Sequence, residues 1–180
     1  MKRAFISTGC MLVAAVILSL SSAIAEKQSS KPSLSVAVRT AKMSYGIKEN
    51  INLEIQLENV GTESLLLCRN LGWGVGRTDV RVLDIAGKEV NTTFLADEVP
   101  PPPRDQDFIE LRPDEFFGIR LTEIATHFVN SPGTYNFFVA YSSSVSEEWA
   151  RRYVKLPPQP LWSRERGAIV SNKLRIEITE

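Results

Sequence analysis

Ile51-Asn52-Leu53-Glu54-Ile55-Gln56-Leu57-Glu58 carries an apolar side chain at every second position, with an amide or a carboxylate between each pair. That period of two places Ile51, Leu53, Ile55 and Leu57 on one face of a β-strand, whereas a helix would scatter them around its circumference. Asn59-Val60-Gly61-Thr62 follows, and Asn and Gly tolerate the positive backbone angles that tight turns demand. The stretch therefore reads as a strand with one face in a core and the other in water.

The same alternation recurs on both sides of it. Leu34, Val36 and Val38 precede it. Further strands are expected over 64–69, Val80–Ile85 and Phe108–Leu111, then at Phe117-Ile119-Leu121, Tyr135-Phe137-Val139-Tyr141 and Leu174-Ile176-Ile178. Ala86-Gly87-Lys88-Glu89 reads as a hairpin turn, and a short helical turn fits between Leu121 and Val129. Seven or eight short strands without a long amphipathic helix predict an all-β fold, an antiparallel two-sheet sandwich.

Two stretches break the pattern. Residues 91–107 contain Pro100-Pro101-Pro102-Pro103, whose missing amide protons favour an extended polyproline segment over a sheet interior. Residues 142–167 hold Trp149, Tyr153, Pro157-Pro158, Pro160 and Trp162. Both are long for hairpin connections, and long ordered loops on a sandwich tend to carry binding residues.

The chain has 180 residues, 21 basic against 21 acidic, and is 43% hydrophobic, the balance of one ordinary folded domain. A nucleic-acid binder needs a cationic excess to neutralise phosphates, and none exists here. At the N-terminus, Lys2-Arg3, the apolar run Met11–Leu20 and Ser21-Ser22-Ala23-Ile24-Ala25 have the order of a secretory signal, with cleavage expected after Ala25. The run is well short of the roughly 20 residues that span a bilayer. The expected layout is a signal peptide over 1–25, a flexible segment over 26–33 and a single domain over 34–180. The mature chain is expected to be soluble and exported, periplasmic or secreted, without a membrane span.

Cleavage would also remove Cys10, one of two cysteines, so that no intrachain disulfide is expected. Within Leu65-Leu66-Leu67-Cys68 it reads as a small buried hydrophobe rather than a reactive thiol.

Ser131-Pro132-Gly133-Thr134-Tyr135, leading into alternation up to Tyr141, resembles the corner before the sixth strand of immunoglobulin-like sandwiches, where a tyrosine hydroxyl bonds the main chain just upstream. Ile51–Gly61 and the final strand after Ser171-Asn172-Lys173 are similar to the second and closing strands of bacterial secreted immunoglobulin-like (fibronectin III-like) domains. The resemblance covers roughly 34–180 and implies an immunoglobulin-like β-sandwich with long loops. It lacks the paired core cysteines of antibody domains, and such sandwiches host unrelated functions.

Chemistry-bearing motifs are scarce. His127 is the only histidine, so a His- or Cys/His-type metal site cannot be assembled within one chain. No recognisable motif surrounds Cys68 or His127, and there is no nucleophile elbow, phosphate loop or dinucleotide fingerprint. Gly72-Trp73-Gly74-Val75-Gly76 lacks the lysine and helix of a phosphate cradle. Between Glu89 and Glu115 eight acids stand against Arg104 and Arg112, which reads as a solvated acidic face, with calcium binding as the alternative. No cofactor is implied.

The candidate binding surface is Trp73, Trp149, Arg151, Arg152, Tyr153, Trp162 and Arg164, because arginine beside tryptophan and tyrosine is the composition of interface hot spots. The opposing reading has Trp149 and Trp162 folding back to plug the open end of the sandwich. The expected function is a non-enzymatic binding or accessory module for a protein or cell-envelope partner, a loop-based proteinase inhibitor being one specific form. The alternative is a carbohydrate-binding module stacking sugars on at least two tryptophans of one exposed face. A hydrolase using an acid pair such as Asp105 and Asp107 comes third and would need a cleft.

Overall fold

A computed structural model describes residues 33–69, 71, 76–90 and 103–180. The signal peptide, the segment 26–32, Trp73 and its neighbouring glycines, and Pro100–Pro102 lie outside the described residues. Ten extended segments occur among the described residues. They are β1 (Leu34–Thr40), β2 (Ser44–Gly46), β3 (Asn50–Asn59), β4 (Leu65–Cys68), β5 (Gly76–Asp84), β6 (Phe108–Leu111), β7 (Phe116–Ile124), β8 (Gly133–Ser143), β9 (Ile169–Val170) and β10 (Leu174–Thr179). All eight expected strands are present, and β2 and β9 are additional.

One sheet has the order β1-β3-β7 and the other β2-β10-β8-β5, with β9 also paired to β8. With β2, β4 and β9 set aside, the first, second and fifth strands (β1, β3, β7) share one layer and the third, sixth and last (β5, β8, β10) the other, which is the immunoglobulin-like arrangement. Register follows the alternation: Val38 lies opposite Ile55, and Ile55 opposite Ile119. Inward residues of β1, β3, β8 and β10 form one core, in which Leu53, Ile55, Phe137, Val139, Tyr141 and Ile176 are almost wholly buried. The expectation of purely antiparallel pairing is corrected at two places: β2 runs parallel to β10, because residues 41–43 carry the first edge from one sheet across to the other, and Leu66 forms a parallel bridge with Leu161.

The expected corner is present. The Tyr135 hydroxyl donates to the Ser131 carbonyl at 2.9 Å, and Gly133 lies against the tyrosine ring with φ at 156°, a backbone angle that side-chain-bearing residues rarely adopt. Asn59, fully buried, closes the other key turn. Its Nδ2 donates to the carbonyls of Glu63 and Leu111, both at 2.9 Å, and its Oδ1 accepts from the Gly61 amide. A buried amide survives there because its polar atoms are satisfied.

β4 departs from a two-layer sandwich. It pairs with β6 in a separate two-stranded ribbon, and all four of its residues are buried. Leu65 and Leu67 point into the main core, whereas Leu66 and Cys68 point into a second cluster with Val145, Ala150 and Leu161. A strand covered on both faces reads as a continuous apolar run, which is why Leu65–Cys68 shows no alternation. The second cluster is roofed by the segment between β8 and β9.

Candidate binding surface

The segment 144–168 is anchored before it presents anything. It contains the helix α1 (Glu147–Tyr153), which the expectation of a long loop over 142–167 lacked. Ser146 caps α1, its side-chain oxygen accepting from the Trp149 amide at 3.1 Å. Glu147 and Glu148 occupy the first turn and Arg151 and Arg152 the last, each sign complementing the helix dipole.

Ala150 and Val154 are buried beneath the helix. Arg151 is exposed, but its guanidinium is engaged within the segment. Its guanidinium donates to the Glu147 carboxylate at 2.8 Å and to the carbonyls of Pro157 at 3.0 Å and Gln159 at 2.7 Å. Pro157, Pro158 and Pro160 have no amide protons with which to build local structure, and the Arg151 fork supplies donors to this loop instead.

Beyond the clamp, the chain returns through the sandwich end. The Leu66 amide donates to the Pro160 carbonyl at 2.8 Å and the Trp162 amide to the Leu66 carbonyl at 2.7 Å, so residues 160–162 run alongside β4. The Arg164 amide donates to Val145, and the Lys155 amide to the Asp105 carboxylate at 2.9 Å. These bonds hold both ends of α1 to the body of the protein.

The sequence-predicted residues divide accordingly. Trp162 is 7% exposed and belongs to the main core, with the Arg166 guanidinium 5.8 Å over its ring. It is a plug, which corrects its place on the outward surface: the return past Leu66 carries the indole inward. Trp149 is half-buried, packing on the second cluster below and on Tyr153 beside it, ring centroids 5.2 Å apart. Tyr153 is 62% exposed, with the Arg152 guanidinium 5.4 Å from its ring centroid. Arg152 makes no ion pair among the described residues. Arg164, also exposed, stands beside Glu165 near the opposite end of α1, where the Glu165 carboxylate accepts from the Glu147 amide. The contiguous outward patch is therefore Trp149, Arg152 and Tyr153.

With Trp162 buried and Trp73 outside the described residues, Trp149 is the one tryptophan left facing the outer patch among those described. Of the eight acids between Glu89 and Glu115, Asp97 and Glu98 lie outside the described residues, and four of the others have structural partners. Asp105 holds Lys155, Asp107 accepts from the Arg104 amide, Glu115 accepts from the Arg112 amide, and Glu89 pairs with Arg81. No group of three or more potential ligands that could hold a metal occurs among the described residues. His127 is exposed with Nδ1 2.8 Å from the Glu123 carboxylate, whereas Cys68 is buried in the second cluster. The Tyr141 hydroxyl is buried against Cys68, and loss of solvent pushes its phenol well above the ordinary range.

No protein-family model matches the chain, and no curated protein does. Among solved structures it is similar to a CARDB domain from Pyrococcus furiosus crystallised with di-metal ions, at 13% identity over 83% of this chain and 94% of that one, TM-score 0.39. It is also similar to a β-glucosidase from Listeria innocua in complex with glucose, at 12% identity over 83% of this chain, TM-score 0.41. A β-glucosidase from Erythrobacter marinus matches at 11% identity over 82% of this chain, TM-score 0.39. The chain spans 16% of the length of either glucosidase.

Proposed function

We propose that this protein is an exported, non-enzymatic binding module that recognises a protein or cell-envelope partner through Trp149, Arg152 and Tyr153 on α1. The observation carrying this reading is Tyr153, a large aromatic ring mostly in water on a helix whose other side is packed, capped and clamped. Planar aromatic and guanidinium groups give contact area at low entropic cost, and a rigid base removes the further cost of ordering a loop on binding. The order of charge, apolar run and small residues in the first 25 positions is the basis for export.

A photo-crosslinking residue placed at position 153 tests the reading in cells producing the protein. One defined adduct is expected from position 153 and none from the same residue at position 116, where Phe116 is equally exposed on another face. Equal labelling from both positions, or no adduct at 153, would contradict it.

A further inference from the structure

A second surface lies where the two sheets meet, away from α1. A groove of about 800 Å³ runs between the end of β1 and the start of β10, with Arg39, Met43, Lys173, Arg175 and Glu177 among its walls. It exists because residues 171–173 interrupt the run from β9 into β10. There the Asn172 side chain replaces a strand ladder, Oδ1 accepting from the Val38 amide at 2.9 Å and Nδ2 donating to the Val38 carbonyl at 3.1 Å.

Three features give the groove a chemical character. Arg39, Lys173 and Arg175 make no ion pair among the described residues, and Glu177 is the one acid in the lining. Met43, 58% exposed, adds an adaptable apolar contact. The third feature is main-chain direction. The Glu177 amide points away from β8 and donates to Met43 at 2.8 Å, and pairing with β2 begins only at Glu177. Strand alternation then turns the amide and carbonyl of Arg175, two residues earlier, into the groove.

We propose that this groove docks an extended acidic polypeptide segment, which adds as a short strand along β10. A phosphate group would call for several amide donors converging on one point, whereas this wall offers an amide and a carbonyl side by side, the pattern another main chain matches. Lys173, immediately before β10, and Arg175 within it are two residues apart, at most about 6.6 Å of extended chain, so carboxylates at alternate positions of the incoming segment meet both. Arg39 faces a further carboxylate from the opposite wall.

Fluorescence anisotropy with the whole chain and a labelled Glu-Val-Glu-Val-Glu peptide tests this, with Lys-Val-Lys-Val-Lys, inorganic phosphate and vesicles of anionic phospholipid as the other probes. The acidic peptide is expected to bind and the basic one not. Binding should weaken as added salt shortens the screening length, and Lys173→Glu with Arg175→Glu should weaken it at least tenfold. Arg39→Glu, on the other wall, gives an independent check should the double variant fold poorly. Amide hydrogen exchange at Arg175 should slow when the peptide binds. The proposal is overturned if the acidic peptide does not bind, if the charge-reversed variants bind it as the parent does, or if exchange at Arg175 is unchanged in the complex. Binding to the vesicles or phosphate without binding to the peptide would likewise overturn it.

Discussion

Replacing Trp162 by alanine separates a core plug from a contact residue more sharply than any other change in this molecule. The indole is 7% exposed and packs with the main core, and its Nε1 finds no hydrogen-bond partner among the described residues. Truncating a buried tryptophan to alanine costs about 3–5 kcal/mol through lost burial and the cavity left behind. For a protein of this size that is a fall of roughly 6–20 °C in Tm, at about 2–4 °C per kcal/mol. Trp162→Phe behaves differently. It gives up part of the ring packing but also removes an unpartnered N–H whose burial costs about 1–3 kcal/mol, and the two effects oppose each other. The phenylalanine variant should therefore lie within about 1.5 kcal/mol of the parent. Urea unfolding followed by far-ultraviolet circular dichroism measures both without relying on the deleted fluorophore, and an unchanged m-value shows that the same surface is exposed on unfolding. An alanine variant within about 0.5 kcal/mol of the parent, the range of ordinary surface substitutions, would refute the plug.

Other outcomes follow from the fold. Tyr135→Phe removes the bond to the Ser131 carbonyl and should cost about 0.5–1.5 kcal/mol in the same assay. Cys68, 1% exposed, should react with thiol reagents only as the protein unfolds, and rapid labelling of native protein would place it at the surface. Lys42, Arg81 and Ser163 hold the carboxyls of Glu49, Glu89 and Glu165 below their ordinary value of 4.5. A depressed folded-state pKa gives stability that is complete above the unfolded value and is lost as pH falls through the folded one. The contribution of these carboxyls should thus be constant at neutral pH and vanish on acidification, and Glu89→Gln should flatten that acid limb in pH-dependent melts.

The parts of the fold visible in the sequence were those governed by local period. Ile51–Leu57 and Tyr135–Tyr141 each have one face in the core and one in water, so alternation alone places them. The corner at Tyr135 carries its own glycine and its own tyrosine. What stayed hidden depended on distant partners. β2 is three residues long and exists because β10, more than 130 positions later, offers an edge to it. α1 has seven residues, two turns, too few for a helical period to stand out. The signals that mark it are Ser146, the acids at 147 and 148 and the bases at 151 and 152, which form a cap and a charge gradient rather than an apolar stripe. The burial of Trp162 follows from pairing with Leu66 across the chain, which no neighbour of Trp162 announces. Arg151 shared the composition of a contact residue and serves as the clamp, because composition does not distinguish an arginine that reaches carbonyls from one that reaches solvent.

Affinity for the partner cross-linked through position 153 tests the central claim most directly, measured for the parent and for Tyr153→Ala at equal fold integrity. Tyr153 is largely exposed, so its removal should leave the unfolding midpoint within experimental scatter. Binding should weaken by roughly 2 kcal/mol or more, about thirtyfold, as at a hot-spot residue. An affinity equal to the parent's for Tyr153→Ala and for Arg152→Ala alike, in proteins that melt normally, would contradict the assignment of recognition to α1.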